Sequence, residues 1–119
     1  MENCVFCKII NKEIPADIIF EDEKVIAFND KNPITPVHVL IIPKKHIPTI
    51  DDLEEKEEVL AGRLILTAQK IARNLNISEK GYKLLFRVKE YGGQEIDHIH
   101  LHLLGGAKLT ENIRPIINS

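Results

Sequence analysis

The chain has 119 residues, a formal charge of −2, 44% apolar and 29% charged residues, and no Trp. That length makes about one domain able to bury a modest core, in the proportions of a soluble globular protein. The near-balanced charge gives no global field for nucleic acid or an acidic membrane, and the few aromatics argue against a single-strand stacking surface.

The start, MENCVFCKII, is too short and too interrupted for a signal peptide, and no apolar run is long enough to span a bilayer. The cytoplasm is therefore the expected compartment, and residues 1–119 are expected to form one unit. Cys4 and Cys7 are the only cysteines. One such pair is no disulfide framework; it suits a metal half-site, a redox pair or two idle thiols. Residues 5–10 read as a short helix or turn, stopped by Pro15. Residues 18–20 and 24–28 read as strands around a polar turn. Residues 37–42 are nearly all apolar and make a central strand, carrying His38 and ended by Pro43. Lys44 and Lys45 follow and are expected to be solvated.

The period then changes. Leu53, Leu60, Leu64, Ala68, Ile71 and Leu75 recur at helical spacing. Asp52 is the expected N-cap, with Glu55 in capping-box position. The Glu54, Glu55, Glu57 and Glu58 run opposes the helix dipole and needs no function. Residues 76–81 form a loop and 82–88 a strand, broken at Gly92-Gly93. HIHLHLL, residues 98–104, is the last strand and ends at Gly105-Gly106. Residues 107–119 form a tail without pattern. Neighbouring strands rather than strict alternation predict an α+β fold: a five-stranded antiparallel sheet with one long helix and a short N-terminal helix.

Three of the five histidines stand in HIHLHLL. On a strand Ile99, Leu101 and Leu103 share the core face, and His98, His100 and His102 the opposite face, open or roofed. The outer two would be about 13 Å apart, too far for one metal. Strand histidines without a role are the bland alternative. A row framed by two glycine pairs suits instead an anionic substrate held while one ring attacks it, and phosphate fits. Backbone N–H groups at Gly92-Gly93 could bind an anion, and Gln94 and Glu95 could reach the same place. His38 is equally compatible with a plain buried histidine.

HIHLHLL, together with GGQEIDHIHLHLLGG, PVHVLIIPKKHI, FNDKNP and CVFCKIINKEIPADIIFED, resembles the histidine triad (HIT) superfamily. Order and spacing from Cys4 to Gly106 are similar to the Hint branch, the histidine triad nucleotide-binding proteins. LLGG favours that branch over the dinucleotide polyphosphate hydrolases, and Glu95 is bacterial-like. The resemblance implies a HIT-like fold and a hydrolase or nucleotidyl transferase acting on purine nucleoside phosphoramidates. It makes His100 the nucleophile that forms a covalent nucleotidyl-histidine, later hydrolysed to release AMP, with no catalytic metal. It implies that His102 binds phosphate, that the His98 carbonyl orients His100, and that His38 stands behind the nucleophile. Asp30 would take the ribose diol. Val5, Phe6, Ile9 and Phe28 would surround the purine, although they could simply be core.

Cys4-x-x-Cys7 needs two more ligands to hold zinc, and His46 and His98 are available; the resemblance favours such a structural zinc. It also implies a homodimer through the long helix and a sheet edge, which a stripe of Leu60, Leu64 and Ile71 permits. Three features depart from the family pattern. Arg87 stands where an Asn near the phosphate is usual, Lys31 where the base pocket is usually apolar, and the tail TENIRPIINS lacks Trp. The competing expectation is a nucleotide-binding or protein-interaction module with incidental chemistry.

Overall fold

A computed structural model describes residues 3–117. Met1, Glu2, Asn118 and Ser119 of the expected 1–119 unit lie outside the described residues. In chain order come helix α1 (Val5–Ile10), strands β1 (Ile18–Glu21), β2 (Val25–Asn29) and β3 (Val37–Pro43), helix α2 (Glu58–Asn74), strand β4 (Lys83–Phe86), the one-turn helix α3 (Lys89–Gly92) and strand β5 (Leu101–Gly105). The strands form one antiparallel sheet in the order β1-β2-β3-β5-β4, as the expected α+β class requires. Among the described residues no helix is long and apolar enough to cross a membrane.

The apolar runs of β2 and β3 have a physical cause: both faces of the sheet are covered. Val25, Ala27, Val39, Ile41, Leu101 and Leu103 face α2, where Leu64, Ala68, Ile71 and Ala72 complete one core. Ile26, Phe28, Leu40 and Ile42 point the other way and pack against Phe6 and Ile9 of α1. The α1 helix therefore roofs the face that carries the histidines. Two glycines close β5. A Cβ at Gly105 would stand 2.8 Å from Ile77, and Gly106 has φ +86 with Pro36 2.9 Å from its Cβ position, so neither site accepts a side chain without movement.

Several expected boundaries shift. The long helix does not start from an Asp52 cap. Thr49 caps a 3-10 turn over Ile50–Asp52, with Asp52 as its capping-box partner. A second turn over Glu55–Glu57 follows, and α2 begins at Glu58. The Leu60, Leu64 and Ile71 stripe belongs to the core or packs against it, so it is no free dimer face. Lys44 and Lys45 are ion-paired, to Glu21 at 2.7 Å and Glu57 at 2.6 Å. The fourth strand ends at Phe86, and the last begins only at Leu101.

Candidate functional site

The histidines meet because of register. On β3 and β5, His38 lies opposite Leu104 and Leu40 opposite His102, so His38 and His102 are diagonal neighbours on one face. His98 and His100 precede the ladder, yet the chain keeps them in line, and all four rings are buried. Phe6 packs edge-on against His98 and His100, at ring centroid distances of 5.8 and 5.1 Å.

Main-chain groups set the tautomers. The Ile34 N–H donates to His38 Nδ1 at 3.2 Å, so a neutral His38 carries its proton on Nε2. That Nε2 lies 3.0 Å from His102 Nδ1 and 3.3 Å from Asp30 Oδ2. The proton can be shared only towards those acceptors, so His102 accepts at Nδ1 and carries its own proton on Nε2. This His102 Nε2 is buried and has no hydrogen-bond partner among the described residues. A buried donor left unmade costs about 1–3 kcal/mol, and an anionic oxygen would satisfy it. His100 is held the other way round. Its Nδ1–H donates to the His98 carbonyl at 2.8 Å, which leaves the Nε2 lone pair free for attack.

Burial keeps these rings neutral. It pushes His102 and His98 down to about 4 and lowers His38 and His100. The Arg87 charge acts in the same direction on His38, His100 and His102, and the Asp30 carboxylate against it. Donor atoms of Asp30, His38 and His102 lie within 4.8 Å of one another. A cation there would need the His38 Nε2 lone pair, which the Ile34 contact assigns to a proton. This cluster is a hydrogen-bond relay.

A second cluster has the opposite character. Cys4 is the N-cap of α1, its sulfur accepting from the Cys7 N–H at 3.3 Å. His98 Nδ1 lies 3.4 Å from Cys4 Sγ, 3.7 Å from Cys7 Sγ and 3.2 Å from His46 Nδ1, and Cys7 Sγ is 3.2 Å from His46 Nδ1. Tetrahedral zinc with ordinary Zn–S and Zn–N lengths spaces N and S ligands by roughly 3.3–3.6 Å. His98 Nε2–H donates to the Pro43 carbonyl at 2.8 Å, so Nδ1 is the lone pair that faces the sulfurs, as a ligating imidazole requires. Without a cation, burial and the adjacent Cys4 push the Cys7 thiol up to about 11; a bound metal reverses that. The donor set fits zinc.

The other expected site residues divide. Asp30 is half-buried beside His38, with Oδ1 accepting from the Asn32 N–H. Phe6, Ile9 and Phe28 are core packed together, and only Val5 is open to solvent. The Gly93 N–H is not free for an anion: it donates to the Glu90 carbonyl, and the Gln94 N–H to that of Lys89. Gln94 is also spent on structure, its amide donating to the Pro48 and Ile96 carbonyls while Oε1 accepts from the Lys89 N–H. Glu95 is exposed, but its charge reaches His100. Arg87 is half-buried beside Gly93, whose Cβ position is 3.8 Å from Arg87 Nη1. The carbonyl of Pro43 and the N–H of Ile34 were not foreseen. Both are main-chain groups, and residue type carries no signal for them.

The family model described as HIT domain matches residues 11–109. The purine nucleoside phosphoramidase of Escherichia coli (strain K12) is 48% identical over 108 residues, 91% of each chain. The crystal structure of a HIT family hydrolase from Legionella pneumophila Philadelphia 1 superposes with a TM-score of 0.89 at 51% identity, covering 91% of this chain and 96% of that one. A histidine triad protein from Clostridium difficile gives a TM-score of 0.91 at 38% identity, over 94% and 97%.

Proposed function

Because the chain belongs to the HIT domain family, we propose that it hydrolyses the P–N bond of purine nucleoside phosphoramidates through His100. It is a hydrolase, as its relatives are. One observation carries the mechanism: the carbonyl lock on His100 Nδ1, which frees Nε2 beside the unpartnered N–H of His102.

The His100 Nε2 lone pair attacks the α-phosphorus while the P–N bond breaks towards the amine. The His102 Nε2–H meets a phosphoryl oxygen, where negative charge grows in the transition state. A proton taken up with the anionic substrate goes to the departing amine. Water then breaks the histidine–phosphorus bond and releases the nucleoside monophosphate. Asp30, with Oδ2 at the rim, accepts from the ribose hydroxyls, and Val5 offers apolar surface to the purine above the packed Phe6.

Three further parts of the reading have structural support. Cys4, Cys7, His46 and His98 would hold a zinc ion, which clamps α1 and the residue whose carbonyl orients His100. The exposed apolar residues of α2 favour a homodimer. Free thiols at Cys4 and Cys7 suit the cytoplasm.

The experiment is AMP release from adenosine phosphoramidate, with AMP affinity measured calorimetrically. His100→Ala should lose at least about 1,000-fold in turnover, as removal of a covalent nucleophile does, and still bind AMP. Equal turnover by both proteins would overturn the nucleophile assignment. Binding without turnover in the wild type would favour the nucleotide-binding module.

A further inference from the structure

The structure assigns Arg87 as a specificity-determining residue that recognises a second anionic group, on the leaving side of the scissile phosphorus. The inference rests on the phosphoramidase reading and names the substrate class of that site.

Arg87 follows the end of β4, half-buried. It has no hydrogen bond or ion pair among the described residues, although its chain neighbours Lys83 and Lys89 pair with Glu111 and Asp51. A half-buried guanidinium left without a carboxylate is an open anion receptor. Its planar fork of donors matches a carboxylate or a phosphate, a geometry that a lysine ammonium lacks.

Sheet order says which end of the substrate it meets. The strands run β3-β5-β4. Asp30 and His38 lie on the β3 flank of the triad strand, and Arg87 lies on the β4 flank beside Gly93. A nucleoside held by Asp30 occupies the first flank. The group beyond phosphorus, away from the ribose, comes to the second. The α-phosphoryl oxygens already have the His102 Nε2–H. Asp30 and Glu95 place two negative charges around the triad, so a substrate with an extra anion would be repelled without Arg87.

The substrate class is a nucleotide whose leaving group is itself anionic, with an amine bearing a carboxylate as the P–N form and a terminal phosphate as the other source. For the first, His100 Nε2 bonds to phosphorus as the P–N electron pair leaves with the amine. The amine takes one proton and departs as the amino acid. Water then supplies the oxygen that displaces His100, giving the nucleoside monophosphate and returning a proton.

The test uses adenosine phosphoramidates of glycine and of glycinamide, equal in size and different in charge, with ADP as the phosphate arm. Wild type should favour glycine over glycinamide in kcat/KM, and that ratio should fall as ionic strength rises. Arg87→Gln should lower the ratio by about 10-fold or more, the weight of a charge-assisted hydrogen bond, chiefly through KM. Arg87→Lys should fall between. The glycinamide rate in each variant reports whether the site is intact. ADP turnover that depends on Arg87, without a glycine preference, would identify the anion as phosphate. A wild type with no preference for either anion, or an unchanged ratio in Arg87→Gln, overturns the inference. AMP release from neither phosphoramidate would instead overturn the phosphoramidase reading itself.

Discussion

His102 shows how one buried ring ties stability to chemistry. Burial holds its folded pKa near 4, whereas an unfolded histidine titrates near 6.5. Between those values the unfolded chain binds more protons than the folded one, so stability is full above about pH 6.5 and falls as pH drops towards 4. His38 is lowered by burial in the same direction. Chemical denaturation should therefore give a lower stability at pH 5 than at pH 7, with His102 supplying on the order of 1–2 kcal/mol of the difference. His102→Asn should shrink that difference; an unchanged pH dependence would mean that the ring is not the neutral, buried group described. The same burial fixes its role with substrate, because a neutral His102 is an N–H donor at neutral pH and cannot be a second base.

At the scale of elements, α1 is six residues long, too short to persist alone in water. Its attachment is the Phe6 and Ile9 face and the Cys4–Cys7 cluster, and the metal is expected to supply much of the hold. Protein purified without chelator should contain about one zinc per chain, as one four-ligand site gives. Cys7→Ser should lose that metal and unfold at lower temperature, as wild type should after chelation. No zinc after repletion under reducing conditions would reject the site. The elements also show what a sequence can reveal. The alternation of Val39 and Ile41 against Leu40 and Ile42, and the α2 stripe, are recorded in residue type, so the sheet and helix were legible. The start of α2 was not, because two 3-10 turns over Ile50–Asp52 and Glu55–Glu57 precede it, and the residue before its first turn, Glu57, makes no side-chain cap. HIHLHLL announced a site through its residue types. Which nitrogen of each ring carries the proton depends on Ile34, Pro43 and the His98 carbonyl, all main-chain groups. The Gly92-Gly93 pair misled for the same reason: its turn consumes the Gly93 N–H internally.

At the scale of the whole molecule, α2 carries an exposed apolar face. Val59 and Leu66 on α2 are 81% and 60% exposed, and Gly62 between them has open space at its Cβ position. Spacing of three and four residues puts them on one helical face, flanked by the half-exposed Ile65. The stripe that faces inward on Leu64 and Ile71 is a different one. A contiguous apolar patch outside the core marks an interaction surface, and a glycine at its centre lets a second helix approach closely. A self-complementary helix face is what a two-fold dimer uses. Light scattering at micromolar concentration should give the mass of two chains. Leu66→Glu puts a carboxylate into that contact, costing several-fold or more in affinity through an unpaired buried charge. It should shift the mass to one chain without changing the helix signal in circular dichroism, since Leu66 is exposed and belongs to neither core cluster. A wild-type monomer would remove the dimer from the proposal. A dimer untouched by Leu66→Glu would move the contact to the β1 or β4 edge of the sheet, where unpaired main-chain groups offer the alternative.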